Sequence, residues 1–341
     1  TKNNSMQHND QLLNVLTREG VLLNVSIRYW RGCKKLRPED IGLEAGNLSE
    51  RLISLGHKRL LPREATATLS LLESRAHSLV ESNTFPFLNG LAHFLPNARL
   101  EAVTTKLKAL EEEFWTAKDS FLGEYASLRE EAAKEWRAQA EKLAPDPERL
   151  LATIEASFPP AGRMDRYFGF DSNLFQVAVP ERLGLDLVTA QDQQHLIQAR
   201  QNAAQEAGQK IRSDVQTFVA DCVASMREQT AKLCEEMLSS IHGSENGVHQ
   251  KTLNRLIRFI DQFKQMNFAN DSEMETQLES VRKELLSRSA EEYRDSALAR
   301  QRLTSGLSKL ADQARVLAGQ DATELVQRFG ELGKRKFHLA A

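Results

Sequence analysis

From Gly20 to Trp30, Val21, Leu23, Val25, Ile27 and Tyr29 alternate with Leu22, Asn24, Ser26, Arg28 and Trp30. A period of two rich in β-branched and aromatic residues predicts a strand. Leu174 to Val179, closed by Pro180, predicts a second. A buried lone strand leaves its backbone N–H and C=O groups without partners. Residues 20–30 and 174–179 are therefore expected to pair, tying the front of the chain to its middle.

Elsewhere the apolar positions recur at steps of three and four, the period of a helix with one buried face. Helices are predicted over Arg63 to Ser82, Asn97 to about Leu143, Pro147 to Ser157 and about Leu187 to Ile241. The last carries a stripe of Ala207, Ile211, Val215, Phe218, Cys222, Met226, Leu233 and Met237 and would be roughly 80 Å long at 1.5 Å per residue. After the glycines Gly243 and Gly247 come Val248 to Asn267 and a long helix capped by Asp271 or Ser272, running past Gly306 to Gly319. A short helix, Asp321 to Leu332, leads into the basic tail Lys334-Arg335-Lys336. Two irregular stretches interrupt the helices. Thr84 to Pro96 is an apolar loop expected to be packed down, and Phe158 to Gly184 is the expected boundary between halves.

Apolar stripes of this length need mates, and an antiparallel helical hairpin supplies them. The expected fold is mainly α, an elongated helical bundle with long antiparallel helices and a small two-stranded β element. Its expected units are 1–19 (a polar lead-in), 20–184 and 185–341.

Composition fits a helical chain. Of 341 residues, 41% are hydrophobic and 6% aromatic, with only nine Pro and seventeen Gly, which excludes collagen-like and wholly disordered classes. Lys plus Arg total 45 and Asp plus Glu 47, a net charge of -2 that argues against a globally basic nucleic-acid binder. Three cysteines, Cys33, Cys222 and Cys234, imply no disulfide framework. The absence of a long apolar run and of a signal-peptide pattern predicts a cytoplasmic protein with no membrane partner.

Reactive motifs are scarce. The eight histidines are scattered, without CxxC, HxxxH or HExxH spacing, so no metal is expected. Gly330-Glu-Leu-Gly333-Lys334 is two residues too short for a P-loop and lacks its Ser/Thr. There is no GxSxG elbow. The chain is expected to be no enzyme, with no catalytic residue and no cofactor.

The strongest local signal is basic. Arg28-Tyr29-Trp30-Arg31-Gly32-Cys33-Lys34-Lys35-Leu36-Arg37 holds five cations and no acid. From Arg28 to Arg63 nine cations face four acids, whereas Glu101 to Glu148 holds twelve acids and seven cations. Three readings stay open. Trp30 packs under the helices and the cations form a solvated loop; or the patch meets an acidic protein surface, including that of another copy. In the third, Arg28, Arg31, Lys34, Lys35, Arg37, Lys58 and Arg59 hold a nucleic-acid backbone while Tyr29 or Trp30 stacks on a base.

Several motifs carry a likeness. Arg31-Gly-Cys-Lys34-Lys35-Leu36, Glu39-Asp40-Ile41-Gly42-Leu43 and Leu55-Gly56-His57-Lys58-Arg59-Leu60 come in order. Phe158-Pro159, Tyr167-Phe168-Gly169-Phe170 and the Phe175 strand follow. Across most of the first 240 residues the chain resembles the family known as domain of unknown function 3150. That resemblance implies a helical companion of a MoxR-type AAA+ ATPase, since members occur in bacteria, phages and mobile elements beside such ATPases and von Willebrand-type or cobalt-chelatase-like partners. It implies no active residue.

The leading expectation is a scaffold or adaptor subunit of a larger assembly, in a defence or mobile-element module with that ATPase. The alternatives are a nucleic-acid-binding subunit using residues 28–37 and a self-assembling coiled-coil protein, a homo-oligomer.

Overall fold

The computed structural model describes residues 12–44, 46, 49, 51–178, 193–244, 247–320 and 322–329, with side chains from 198 onward in the helix that begins at 193. The polar lead-in 1–10, the strand end at 179–180, the helix start at 187–192 and the basic tail 334–336 lie outside the described residues.

Helix α1 (12–19) runs directly into strand β1 (Gly20–Arg28). Strands β2 (Cys33–Lys35) and β3 (His57–Arg59) form a separate two-stranded ribbon, with the 3-10 turn Pro38–Ile41 in the connection between them. Next come α2 (Ala67–Asn83), β4 (Phe85–Phe87), β5 (Ala92–Pro96), α3 (Asn97–Leu143), α4 (Pro147–Ser157) and β6 (Gly169–Phe175). The remainder is helical: α5 (Gln193–His242), α6 (Gln250–Met266), α7 (Ser272–Leu285), α8 (Ala290–Asp295), α9 (Ala297–Ala318) and α10 (323–329).

The mainly α expectation holds, with more sheet than the periodicity revealed. β1 lies in a four-stranded sheet of order β4-β5-β1-β6. It pairs antiparallel with β5 from Gly20↔Pro96 to Leu23↔His93, and β5 pairs with β4 from Phe85↔Phe94 to Phe87↔Ala92. The stretch 84–96 is thus a hairpin rather than a loop. Its turn places Leu88 and Asn89 at φ 49° and 57°, ahead of Gly90 at 83°. Two prolines masked the pattern, yet Pro86 sits on an edge strand, where a missing N–H costs no ladder bond. β6 begins at Gly169 instead of 174, because Phe168 and Phe170 anchor it in the core while Leu174 and Phe175 are exposed.

The chain forms two compact units of interleaved segments, differing from the expected cut at 184. The helical unit draws on Thr1–Leu23, Asn83–Glu101 and Leu174–Ala341, and the ribbon unit on Asn24–Ser82 and Ala102–Asn173. The β4–β5 hairpin belongs to the helical unit because Phe87 and Phe94 meet Phe218 of α5 edge-on, at 4.9 and 5.5 Å between ring centroids.

In the helical unit α5 packs chiefly on α9. The expected stripe is buried from Val215 onward, whereas Ala207 is exposed. It meets Leu303, Leu307, Leu310 and Ala314, together with Leu253, Leu256 and Ile260 of α6, in one core. Burying each such aliphatic side chain stabilises by about 1.5–3 kcal/mol. The single long helix expected after Asp271 is three helices. Asp271 caps α7 by accepting from the Met274 N–H at 3.2 Å, Ser289 and Glu292 form a reciprocal capping box, and Ser296 caps α9. Tyr293 donates to the Leu285 carbonyl across the break. Gly306 lies within α9, where a Cβ would lie 2.4 Å from Leu285, so the missing side chain makes room for that leucine.

Candidate functional site

In the ribbon unit the basic-aromatic segment separates into a buried half and an exposed half. Trp30 is 7% exposed, and its ring lies 6.2 Å from Phe121, 5.9 Å from Tyr125 and 6.0 Å from Phe158. Tyr29 is buried too, its hydroxyl accepting from Arg31 at 3.0 Å while that guanidinium covers its ring. This corrects the expectation that Tyr29 or Trp30 offers a face to a base. The indole is a core residue surrounded by rings, which stabilise one another by tilted and edge-on packing.

Three of the expected cations are likewise engaged. Arg28 approaches Asp171 at 3.6 Å, Arg31 pairs with Glu73 at 2.7 Å, and Lys58 is buried with its ammonium 2.6 Å from Asp40. The Asp40 carboxylate also accepts from the Arg37 N–H at 2.9 Å, fixing the 3-10 turn that follows. Gly42 ends that turn at φ 76°, with the Pro145 ring where a Cβ would sit. Any side chain there meets both backbone strain and a clash.

What remains forms a surface. In the β2–β3 ribbon Cys33 faces Arg59, Lys34 faces Lys58 and Lys35 faces His57. Opposed residues share a face, so Cys33, Lys35, His57 and Arg59 line one side and Lys34 with Lys58 the other. Lys34, Lys35, Arg37, His57 and Arg59 are exposed. The ladder is extended at both ends, by Leu36 N–H to Gly56 carbonyl (3.0 Å) and Leu60 N–H to Gly32 carbonyl (2.6 Å). The indole N–H of Trp136 donates to the Arg59 carbonyl at 3.0 Å, attaching the ribbon to α3.

Beside the ribbon the connecting chain exposes large apolar side chains: Leu43 at 42%, Leu52 at 87% and Ile53 at 50%. A cleft of about 850 Å³ between the turn and the α3–α4 junction carries Lys35, Arg37 and Arg149 against Glu39, Asp40, Glu44 and Asp146. Such a surface can form ion pairs with carboxylates and bury aliphatic groups. The sequence reading caught the cations and missed Leu52 and Ile53, whose signal was an apolar pair between Arg51 and Ser54 in a segment with no helical or strand period.

Buried thiols lie elsewhere. Burial pushes the Cys234 thiol up to about 12 and that of Cys222 well above its ordinary value, leaving both protonated at neutral pH. Among the described residues no group of three or more His, Cys, Asp or Glu side chains could hold a metal ion. None of their helices is long and apolar enough to cross a membrane.

Fold and site together define a helix-dominated protein of two units, one of which displays a basic ribbon edged with exposed aliphatic residues. The chain belongs to the family described as "Protein of unknown function (DUF3150)", whose model matches residues 17–312. No curated protein and no solved structure matches it.

Proposed function

We propose that this chain is a non-enzymatic helical adaptor of a cytoplasmic assembly, docking a partner protein through the β2–β3 ribbon and the segment around Leu52 and Ile53. One observation carries the reading: Leu43, Leu52 and Ile53 stand exposed beside Lys34, Lys35, Arg37 and Arg59. Exposed aliphatic groups rimmed by charge mark protein interaction surfaces, whereas a nucleic-acid backbone rewards the cations alone. The partner would present apolar side chains among carboxylates. The family resemblance suggests a MoxR-type AAA+ ATPase of a defence or mobile-element module.

Mixing the chain with such an ATPase and following co-elution and ATP turnover tests the proposal. Co-elution that Leu52→Asp disrupts is expected, and no association at micromolar concentrations would defeat it. Nucleic acid remains the second reading because Lys34, Lys35, Arg37 and Arg59 are exposed. In that case affinity for short DNA or RNA would fall steeply with salt and vanish in Lys34→Glu/Lys35→Glu, while Leu52→Asp would leave it unchanged.

A further inference from the structure

A second charged groove lies in the helical unit. Between α5 and α6, Lys232, Leu233, Glu236, Arg255, Arg258 and Phe259 line a depression of about 500 Å³. Arg255 and Glu236 neutralise each other at 2.5 Å. Among the described residues no carboxylate pairs with Lys232 or Arg258, both of which are exposed. On the same two helices, α6 and α7, Arg282 is matched with Asp261 and Lys264 with Glu279. The groove therefore carries two uncompensated cations beside a half-buried phenyl ring. Grooves between neighbouring helices have the width and direction to accept a third helix.

The same chain supplies a helix of opposite character. On α3, Glu124, Leu128, Glu131 and Glu135 are spaced by four, three and four residues, so they share one side. Glu124, Glu131 and Glu135 are exposed and Leu128 is half-buried. Glu131 and Glu135 have no basic partner among the described residues, unlike the adjacent Glu130, paired with Lys134, and Glu113 farther along the helix, paired with Arg75. Acid–leucine–acid on one surface thus mirrors cation–phenyl–cation on the other.

We propose that the α5–α6 groove of one molecule docks the Glu124–Glu135 side of α3 from a second copy of this chain. The contact is heterologous, with different surfaces on the two molecules, and its affinity is largely electrostatic, so salt weakens it. It uses none of the ribbon's own residues, although Glu135 stands next to Trp136, which attaches the ribbon to α3.

Sedimentation equilibrium of the full chain at low and high salt provides the test. The wild type is expected to self-associate at low salt and to return to single-chain mass at high salt. Lys232→Glu/Arg258→Glu and Glu131→Lys/Glu135→Lys should each stay monomeric, weakening association by at least about tenfold. Mixing these two variants should restore association, because the unaltered groove of one meets the unaltered helix of the other and the two reversed surfaces also carry opposite charge. All four substitutions are at exposed positions, and circular dichroism of each variant confirms the fold before weighing. A wild type that remains monomeric at low salt overturns the proposal, as does association that the single variants retain or that their mixture fails to restore.

Discussion

Among the described residues each unit buries one ion pair, and the two pairs are built differently. In the helical unit Arg227 grips Asp271 with two donors, Nε at 2.6 Å and Nη2 at 3.1 Å, and gives a third to the Leu317 carbonyl at 2.7 Å. Asp271 in turn caps α7, and Asn267 accepts its N–H at 2.8 Å. One guanidinium thereby joins α5, the start of α7 and the end of α9. In the ribbon unit Lys58 meets Asp40 through one contact, at the lip of an open cleft. A planar fork suits a fixed three-helix junction, whereas a single ammonium holds one strand to one turn. The difference separates an interior scaffold from a surface whose neighbours stay exposed.

Removing Arg227 should have the largest effect. Arg227→Met leaves Asp271 buried without its counter-charge and the Leu317 carbonyl without its donor, costing about 3–5 kcal/mol in denaturant unfolding. Trp30→Ala opens a cavity among Phe121, Tyr125 and Phe158 and should cost a similar 3–5 kcal/mol, with the loss confined by hydrogen exchange to the ribbon unit. Lys58→Met should cost less, about 1–3 kcal/mol, because Asp40 is nearer water and keeps the Arg37 N–H. A cost equal to that of Arg227→Met would erase the contrast between the pairs. Lys34→Glu/Lys35→Glu should shift stability by no more than about 0.5 kcal/mol while abolishing any binding that depends on the ribbon.

The thiols sharpen the comparison further. Cys234 is held protonated in the folded helical unit, and its folded value of about 12 exceeds the ordinary 9.0. Its contribution to stability is therefore complete below pH 9 and is lost as pH rises from 9 towards 12. Melting temperature should fall over that range, and the fall should be shallower in Cys234→Ala. At neutral pH maleimide should modify the half-buried Cys33 of the ribbon and spare Cys222 and Cys234 until denaturant is added.

Much of the fold was legible because helices announce themselves locally. Asn97–Leu143 stops just short of Pro145 and Pro147, and Pro147–Ser157 begins at the second of these prolines. The hairpin 84–96 was hidden because its period of two is broken by Pro86, tolerated only because β4 is an edge. The breaks at Ser289 and Ser296 were hidden because serine reads equally well as a helix-surface residue and as a cap. At the site, the cations of 28–37 were visible, but which of them would be consumed by Asp171, Glu73 and Asp40 depends on residues up to 143 positions away along the chain. Trp30 could not be placed from the segment alone, since the rings that enclose it come from α3 and from Phe158.

Calorimetric titration of a MoxR-type AAA+ ATPase with the wild type and with Leu52→Asp/Ile53→Asp tests the docking surface most directly. The account predicts micromolar binding by the wild type and an affinity at least about tenfold lower for the variant, at unchanged stability. Equal binding by both proteins, or no heat from either, would contradict it.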